Sequence, residues 1–544
     1  MAQVATAYAD DAAAAREPLL SRIAGRLMLL HGWRRGLAAF AAGAVGALAQ
    51  PPFDFFAAGF ISFPILVFLL DGAAGDAPRR RLGRLRVFFA VGWWFGFGYF
   101  LASLWWIGNA MLVDVQKYAW AMPIAVLVLP AFLACYYGLA AALARPLWNE
   151  GFGRFAAFAA ALALMEWVRV FALSGFPWGA VGYAVMPIPM LMQSVTLIGM
   201  MGVNALAAFA FMLPAALASR RGGGWSLALL FILASAHVGF GMFRLAQELP
   251  GGRTLLVRMI QPSVQQAEKW DANKRDGIFR SYLDMSSAPP AAEGTRPQLI
   301  LWPETSVPFL FQQRPDALAA IDAMLQPGQT LLAGAVRMEG DSPQSPSARF
   351  YNSVVAIDAG GQIFGAADKQ FLVPLGEFLP FADLLARFGI TKLVELPGGF
   401  TPGTARPSIE VADNVRAVPF ICYEVIFPDV AVGTDADLLV NVTNDAWFGN
   451  SPGPYQHLRQ AQLRAVEAGL PTVRAANNGI TAVIDPYGRV LAGLALDAVA
   501  VLDYAVPLHR GDGLRLPRHD YAGWAVLALL FIVAVAGRLR QRAN

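Results

Sequence analysis

The chain has 544 residues, 56% hydrophobic and 15% charged, and its 42 Lys and Arg against 38 Asp and Glu leave a formal net charge of +4. A soluble domain carries about 25% charged residues, so much of this chain is built for a different solvent. Two cysteines exclude a disulfide framework and a Cys-x-x-Cys metal site, and so small a net charge leaves no footprint for nucleic acid.

The polar residues are unevenly spread. Residues 1–35 are Ala- and Arg-rich (Arg16, Arg22, Arg26, Arg34, Arg35) and read as a cytoplasmic segment. Residues 36–244 are nearly charge-free, 245–518 resemble an ordinary globular domain, and 519–544 return to an apolar run with a basic tail. Ala47-Leu48-Ala49 resembles a signal-peptidase site, but what precedes it is too long and further spans follow, so no cleavage is expected. A spanning helix needs about 20 apolar residues. Candidates stand near 36–50, 54–70, 87–107, 120–143, 155–173, 191–218, 225–243 and 521–537.

Basic clusters test that count. Arg79, Arg80, Arg81, Arg84 and Arg86 follow the second span; Arg145 and Arg154 follow the fourth. Arg220 and Arg221 follow the sixth; Arg538, Arg540 and Arg542 follow the last. All fall on the side of the N-terminus, which the positive-inside rule makes the cytoplasm. The expected architecture is therefore eight transmembrane helices with both termini cytoplasmic. An extramembrane domain, 245–518, is inserted on the outer side between helices seven and eight. Within the fifth span, Glu166 and Arg169 stand one helical turn apart, as an ion pair or as substrate-facing charges. The loop after it, Ser174–Gly179, is aromatic and suits a membrane interface.

The outer domain alternates short apolar runs with amphipathic stretches. Strands are expected at Thr254–Gln261, Gln298–Trp302, Thr330–Ala335, Tyr351–Ile357, Ala417–Cys422, Leu438–Thr443 and Thr481–Ile484. Helices are expected at Asn273–Met285, Asp316–Leu325 and Pro454–Glu467, giving a layered α/β domain with sheets buried on both faces.

Three groups at strand ends carry chemistry. Glu304 follows Trp302-Pro303, where the proline disfavours helical continuation. Lys369 precedes Gly376-Glu377, and Cys422 ends the run Pro419–Ile421. A carboxylate can take a thiol proton, a lysine can stabilise an oxyanion, and the thiolate can attack a carbonyl. Each alone also fits a turn carboxylate, a surface lysine and a small buried hydrophobe. His457, at the start of an amphipathic stretch, offers a Cys–His alternative but reads better as a satisfied structural histidine.

Glu after Trp-Pro, Lys before Gly-Glu-x-x-Pro, and Cys in Cys-Tyr-Glu resemble the Glu-Lys-Cys triad of the nitrilase (carbon–nitrogen hydrolase) superfamily. Gln261–Trp270, Asn444–Gly449, Gln456-His457 and Arg474–Gly479 are similar to the apolipoprotein N-acyltransferase family, its membrane branch. Leu375, where that pattern has an aromatic, is a departure. The resemblance spans the chain and implies an αββα sandwich with Glu304, Lys369 and Cys422 catalytic. Glu377, Trp270, Tyr423 and Glu424 support them or bind substrate, and no metal or cofactor is needed. It further implies a monomer in the bacterial inner membrane with its catalytic domain in the periplasm. The sn-1 acyl chain of a phospholipid, phosphatidylethanolamine by the same resemblance, would pass through a Cys422 thioester to the N-terminal diacylglyceryl-cysteine of an apolipoprotein. Phe371–Pro380, Leu384–Phe400 and Trp447-Phe448 are candidates for apolar lids or interface anchors. A membrane-anchored amidase using the same triad, or a non-catalytic scaffold, are the competing readings.

Overall fold

The structure, a computed structural model, describes residues 19–75, 81–218, 223–249, 252–290, 295–345, 347–380, 387, 399–509 and 519–543. Arg16, Arg79, Arg80, Arg220, Arg221 and nearly all of the segment expected at 384–400 lie outside them.

The first half is helical: α1 Leu19–Met28, α2 Gly32–Gly46, α3 Gly59–Gly75, α4 Arg81–Leu104, α5 Met122–Ala144, α6 Gly153–Phe171, α7 Val195–Met212 and α8 Gly223–Leu245. Seven helical stretches among the described residues are long and apolar enough to cross a membrane. They are Phe56–Gly75, Leu82–Leu112, Ala119–Leu147, Gly153–Ser174, Val195–Ala218, Gly223–Leu245 and Tyr521–Ala543. The span expected at 36–50 is the exception. It is the 15-residue α2 extended by one 3-10 turn, Ala47–Ala49. At 1.5 Å per residue α2 is about 22 Å long, short of a hydrocarbon core of about 30 Å. Its small residues serve close packing: a Cβ on Gly43 would lie 1.9 Å from the Phe95 carbonyl oxygen, and one on Gly98 of α4 2.0 Å from that of Phe40. Backbone contact of this kind gives dispersion where no hydrophobic drive exists between helices.

The second half holds two six-stranded sheets. The first has the order β12-β1-β2-β3-β4-β5 and the second β11-β10-β9-β8-β7-β6. The strands are β1 Thr254–Gln261, β2 Leu299–Trp302, β3 Thr330–Glu339, β4 Arg349–Ile357, β5 Ile363–Asp368, β6 Ile409–Ala412, β7 Val415–Ile421, β8 Leu438–Thr443, β9 Thr472–Ala476, β10 Ala482–Ile484, β11 Val490–Gly493 and β12 Ala500–Pro507. The pairs β1–β2, β2–β3, β7–β8 and β8–β9 are parallel. Side-chain alternation splits each strand between two layers. Val257, Met259 and Leu301 meet Ala417, Val440 and Val473 between the sheets. Ile300 and Trp302 face outward onto Phe279 and Tyr282 of α9 (Arg275–Ser286) and Ile321 of α10 (Pro315–Met324). Phe420 and Leu439 face outward onto Ala468 of α11 (Pro452–Ala468). The result is the expected αββα sandwich; the chain then returns through α12, His519–Ala543.

Helix α11 lies between the second sheet and the membrane helices, so it is polar by composition yet buried along most of its length. Gln456 shows how that is tolerated. Its carbonyl oxygen accepts from the indoles of Trp178 (2.7 Å) and Trp106 (3.2 Å), and its amide donates to the carbonyls of Pro51 (3.1 Å) and Ser103 (3.2 Å). Arg459 adds an ion pair with Asp54 at 2.9 Å. Gln456→Leu leaves the Trp178 N–H buried and unpaired. It should cost about 1–3 kcal/mol, read as a lowered unfolding midpoint in detergent, whereas an exposed-face change such as Arg349→Gln should leave the midpoint in place.

Candidate active site

Each strand end delivers one group. Glu304 follows β2, Lys369 follows β5, and Cys422 follows β7 at the start of a 3-10 turn, Cys422–Ile426. Cys422 has φ +49°, in the left-handed region that an L-residue occupies only when its surroundings hold it there. β2 and β5 belong to the first sheet, with β3 and β4 between them, and β7 to the second; their C-terminal ends converge across the two sheets, which is how residues 65 and 53 positions apart in sequence (304, 369, 422) come to meet.

The groups do meet, in a site from which solvent is nearly excluded. Lys369 Nζ lies 3.2 Å from Glu304 Oε1 and 2.8 Å from Glu377 Oε1. Asn352, in the middle of β4, donates its amide to both carboxylates, at 2.8 and 2.7 Å. A fourth charged group completes the cluster: Lys269 Nζ donates to the main-chain oxygen of Glu304 at 3.0 Å. Exposures of 6% for Glu304, 9% for Glu377, 1% for Lys369 and 3% for Lys269 make these charges viable only in combination.

Burial alone would raise the Glu304 carboxyl. Lys369 first, then the Asn352 amide, Lys269 and Cys422, outweigh it and hold Glu304 below its ordinary value. Burial opposes the Lys369 charge, but Glu377, Glu304 and Cys422 hold the ammonium well above its usual range. The Cys422 thiol moves the other way. Burial pushes it far up, Glu304 and Asp445 add to that, and Lys369 and a Thr443 hydrogen bond only partly offset it. At rest the nucleophile candidate is therefore a neutral thiol beside an ionised carboxylate, unlike cysteines activated as standing thiolates.

The supporting residues divide. Glu424 is a brace: one carboxylate oxygen accepts the Ile421 N–H (2.8 Å), the other the Gln370 N–H (2.8 Å) and the Arg406 guanidinium. It thereby ties the strand before Cys422 to the residue after Lys369. Tyr423 turns away from the cluster and donates its hydroxyl to the Gly175 carbonyl of the loop after α6, at 2.7 Å. That loop is held from below by Arg169, which donates to the carbonyls of Phe176 (2.9 Å) and Trp178 (2.6 Å) and pairs with Glu166. The Glu166–Arg169 pair is thus a structural device under the site. Trp270 is 42% exposed and stands outside the hydrogen-bonded cluster. Of the lid candidates, Phe448 is packed against Trp106 and Trp178, Phe371 stacks on Phe427 with centroids 4.3 Å apart, and Trp447 is 39% exposed.

His457 is fully buried, with Nδ1 2.8 Å from Asp445 Oδ1 and Nε2 3.1 Å from the main-chain oxygen of Cys422. Both nitrogens are occupied, so the ring has none free to take the thiol proton; it holds the Cys422 backbone instead. Behind it, Arg474 pairs with Asp445 at 2.6 Å and Thr443 donates to the same carboxylate at 3.0 Å. Sequence reasoning meets Lys269, Asp445 and Arg474 only inside longer similar segments, without a role, and passes over Asn352. A polar residue inside an apolar strand, such as Asn352 in β4 or Arg474 in β9, is the signal that could have found two of them.

Burial would raise the Asp445 carboxyl, but Arg474, His457 and Thr443 hold it at about 2, against 3.8 for the free group. A depressed carboxyl stabilises the fold above its unfolded value and loses that contribution as pH falls through the folded one. The native protein should lose about 2 kcal/mol from this group between about pH 4 and 2. Asp445→Asn should show that loss already at neutral pH and a flatter acid limb in denaturant melts.

Two family models match the chain: "Apolipoprotein N-acyltransferase N-terminal domain" over 42–213 and "Carbon-nitrogen hydrolase" over 256–515. The apolipoprotein N-acyltransferase of Allorhizobium ampelinum is 51% identical over 522 residues, covering 96% of this chain and 99% of that protein. That of Brucella melitensis is 50% identical over 524 residues, covering 95% and 97%. Among solved structures, an amidase from Nesterenkonia sp. covers 51% of this chain and 99% of its own at 17% identity, with a TM-score of 0.34.

Proposed function

The chain belongs to the apolipoprotein N-acyltransferase family, an enzyme family, and from that premise we propose that it moves the sn-1 acyl chain of a phospholipid onto the α-amine of a lipoprotein's diacylglyceryl-cysteine. The observation that carries the mechanism is the buried cluster beside Cys422, in which Lys369 (3.2 Å) and the Asn352 amide (2.8 Å) both bond Glu304 Oε1 and so favour its carboxylate form, while burial favours the neutral thiol. In the first half-reaction Glu304 takes the thiol proton as Cys422 Sγ attacks the ester carbonyl carbon. The C–S bond forms, and the carbonyl oxygen becomes an oxyanion facing Lys369 and a backbone N–H near Tyr423. Collapse breaks the ester C–O bond, and Glu304 returns the proton to the departing alcohol, giving lysophospholipid and a Cys422 thioester. In the second, the α-amine attacks the thioester and Glu304 takes its proton. The C–S bond breaks and the sulfur recovers the proton, leaving an amide. Glu377 orients Lys369 in both.

Membrane placement follows the same reading. The donor is phosphatidylethanolamine, the acceptor a diacylated apolipoprotein, and the enzyme acts as a monomer in the bacterial inner membrane. The α/β domain, 245–518, faces the periplasm and both termini the cytoplasm, with α2 counted as a short eighth membrane helix beside the seven longer ones. The contact of Tyr423 with the loop after α6 supports a site at the membrane surface, where exclusion of water favours transfer over hydrolysis. That geometry also weighs against an amidase acting on a soluble amide.

Purified enzyme incubated with phosphatidylethanolamine and weighed intact should gain one acyl group, absent in Cys422→Ala and discharged by a diacylated lipopeptide. Glu304→Gln should form that adduct about 10²–10⁴-fold more slowly. No adduct under turnover conditions, with ammonia released from small amides, would return the amidase.

A further inference from the structure

Two carboxylates and one ammonium, the cluster that the triad and Glu377 make by themselves, would leave one net negative charge in a buried site. The cheapest relief for such a charge is proton uptake by a carboxylate. If Glu304 took that proton, the general base would be lost. Lys269 is the group that balances the count: Glu304 and Glu377 against Lys369 and Lys269, each at most 9% exposed.

Geometry places Lys269 there on purpose-built terms. Its Nζ donates to the Glu304 main-chain oxygen at 3.0 Å, and no other acceptor among the described residues takes its remaining N–H groups. The segment that carries it is anchored from the opposite sheet. Asn477 receives the Val264 N–H (3.0 Å) and donates to its carbonyl (2.7 Å), while Asn444 donates to Gln266 at 2.6 Å. The Glu304 turn is confined from the other side, since a Cβ on Gly334 would lie 2.3 Å from the Pro303 carbonyl oxygen. The neighbouring acid, Glu268, is turned outward to Lys274 at 2.5 Å and does not compete for the Lys269 charge.

We infer that Lys269 is a positioning residue whose ammonium charge keeps Glu304 in its carboxylate form, ready to act as base. The charged and titratable groups facing it are Glu304 and Cys422, with Lys369 and Glu377 beyond them. Burial lowers the ammonium, Glu304 and Cys422 offset only part of that, and it stands at about 8, a cation at neutral pH. The inference rests on the reading of Glu304 as base.

The test is the pH dependence of the acylation half-reaction alone, followed by intact mass with phosphatidylethanolamine and no acceptor. The acid limb of that profile reports Glu304. In Lys269→Met it should move to higher pH by about one unit or more, so that acylation measured on the acid limb slows about tenfold for each unit of that shift. Lys269→Arg, which keeps the charge, should return the limb towards its native position even where packing lowers the overall rate. An acid limb in the same place in the native, Met and Arg proteins would overturn the role of Lys269 and leave the acyl-enzyme reading intact. If Lys269→Met does not fold, a Lys269→Gln limb at the native pH overturns it equally. Native enzyme that forms no acyl adduct at any pH would instead overturn the reading on which the inference rests.

Discussion

Two carboxylates and two ammonium groups occupy a volume that water barely enters, and each is tolerable there only because the others are present. Much of the site follows from that constraint. It requires Asn352 to share its amide between Glu304 and Glu377, and Glu424 to lock the strand before Cys422 to the residue after Lys369. It also explains why the thiol stays protonated. A thiolate would add a further negative charge beside Glu304; in the proposed mechanism the proton therefore leaves as the bond to carbon forms.

A second constraint joins this cluster to the membrane helices. Consecutive residues of α11 join the two sides: Gln456 is bonded to Trp106 and Trp178, and His457 to the Cys422 main chain. Tyr423, next to Cys422, is bonded to Gly175, whose loop is held by the Glu166–Arg169 pair. The backbone conformation of Cys422 is thus fixed from both the α/β domain and the membrane side. A site built for a soluble substrate has no evident need of such contacts.

The apolar helices and the meeting of Glu304, Lys369 and Cys422 are legible in the sequence because rare residues in apolar surroundings are conspicuous. Glu304 after Trp-Pro, Cys422 after Phe-Ile and the arginine clusters all stand out against long hydrophobic runs. What escapes is what tertiary packing decides. Lys269 sits beside Trp270 and is indistinguishable from a surface lysine until its segment is folded over Glu304. Strands β5, β6, β9, β11 and β12 pass unnoticed because they are short, lie at or near sheet edges, or, like β9, carry an arginine whose partners come from elsewhere. The first span, expected as a short run at 36–50, begins four residues earlier as α2, whose glycine-mediated contact with α4 hydropathy does not reveal. Pro454–Glu467 reads only as an amphipathic stretch, whereas in α11 Gln456 and Arg459 are bonded across the junction to Pro51 and Asp54.

The account turns on when the Cys422 proton leaves. Titrating thiolate absorbance, as the difference between native protein and Cys422→Ala, measures that directly. It should show no Cys422 thiolate at neutral pH, with the signal emerging only well into the alkaline range. A thiolate already present at neutral pH would contradict the account, because Glu304 would then have no proton to remove.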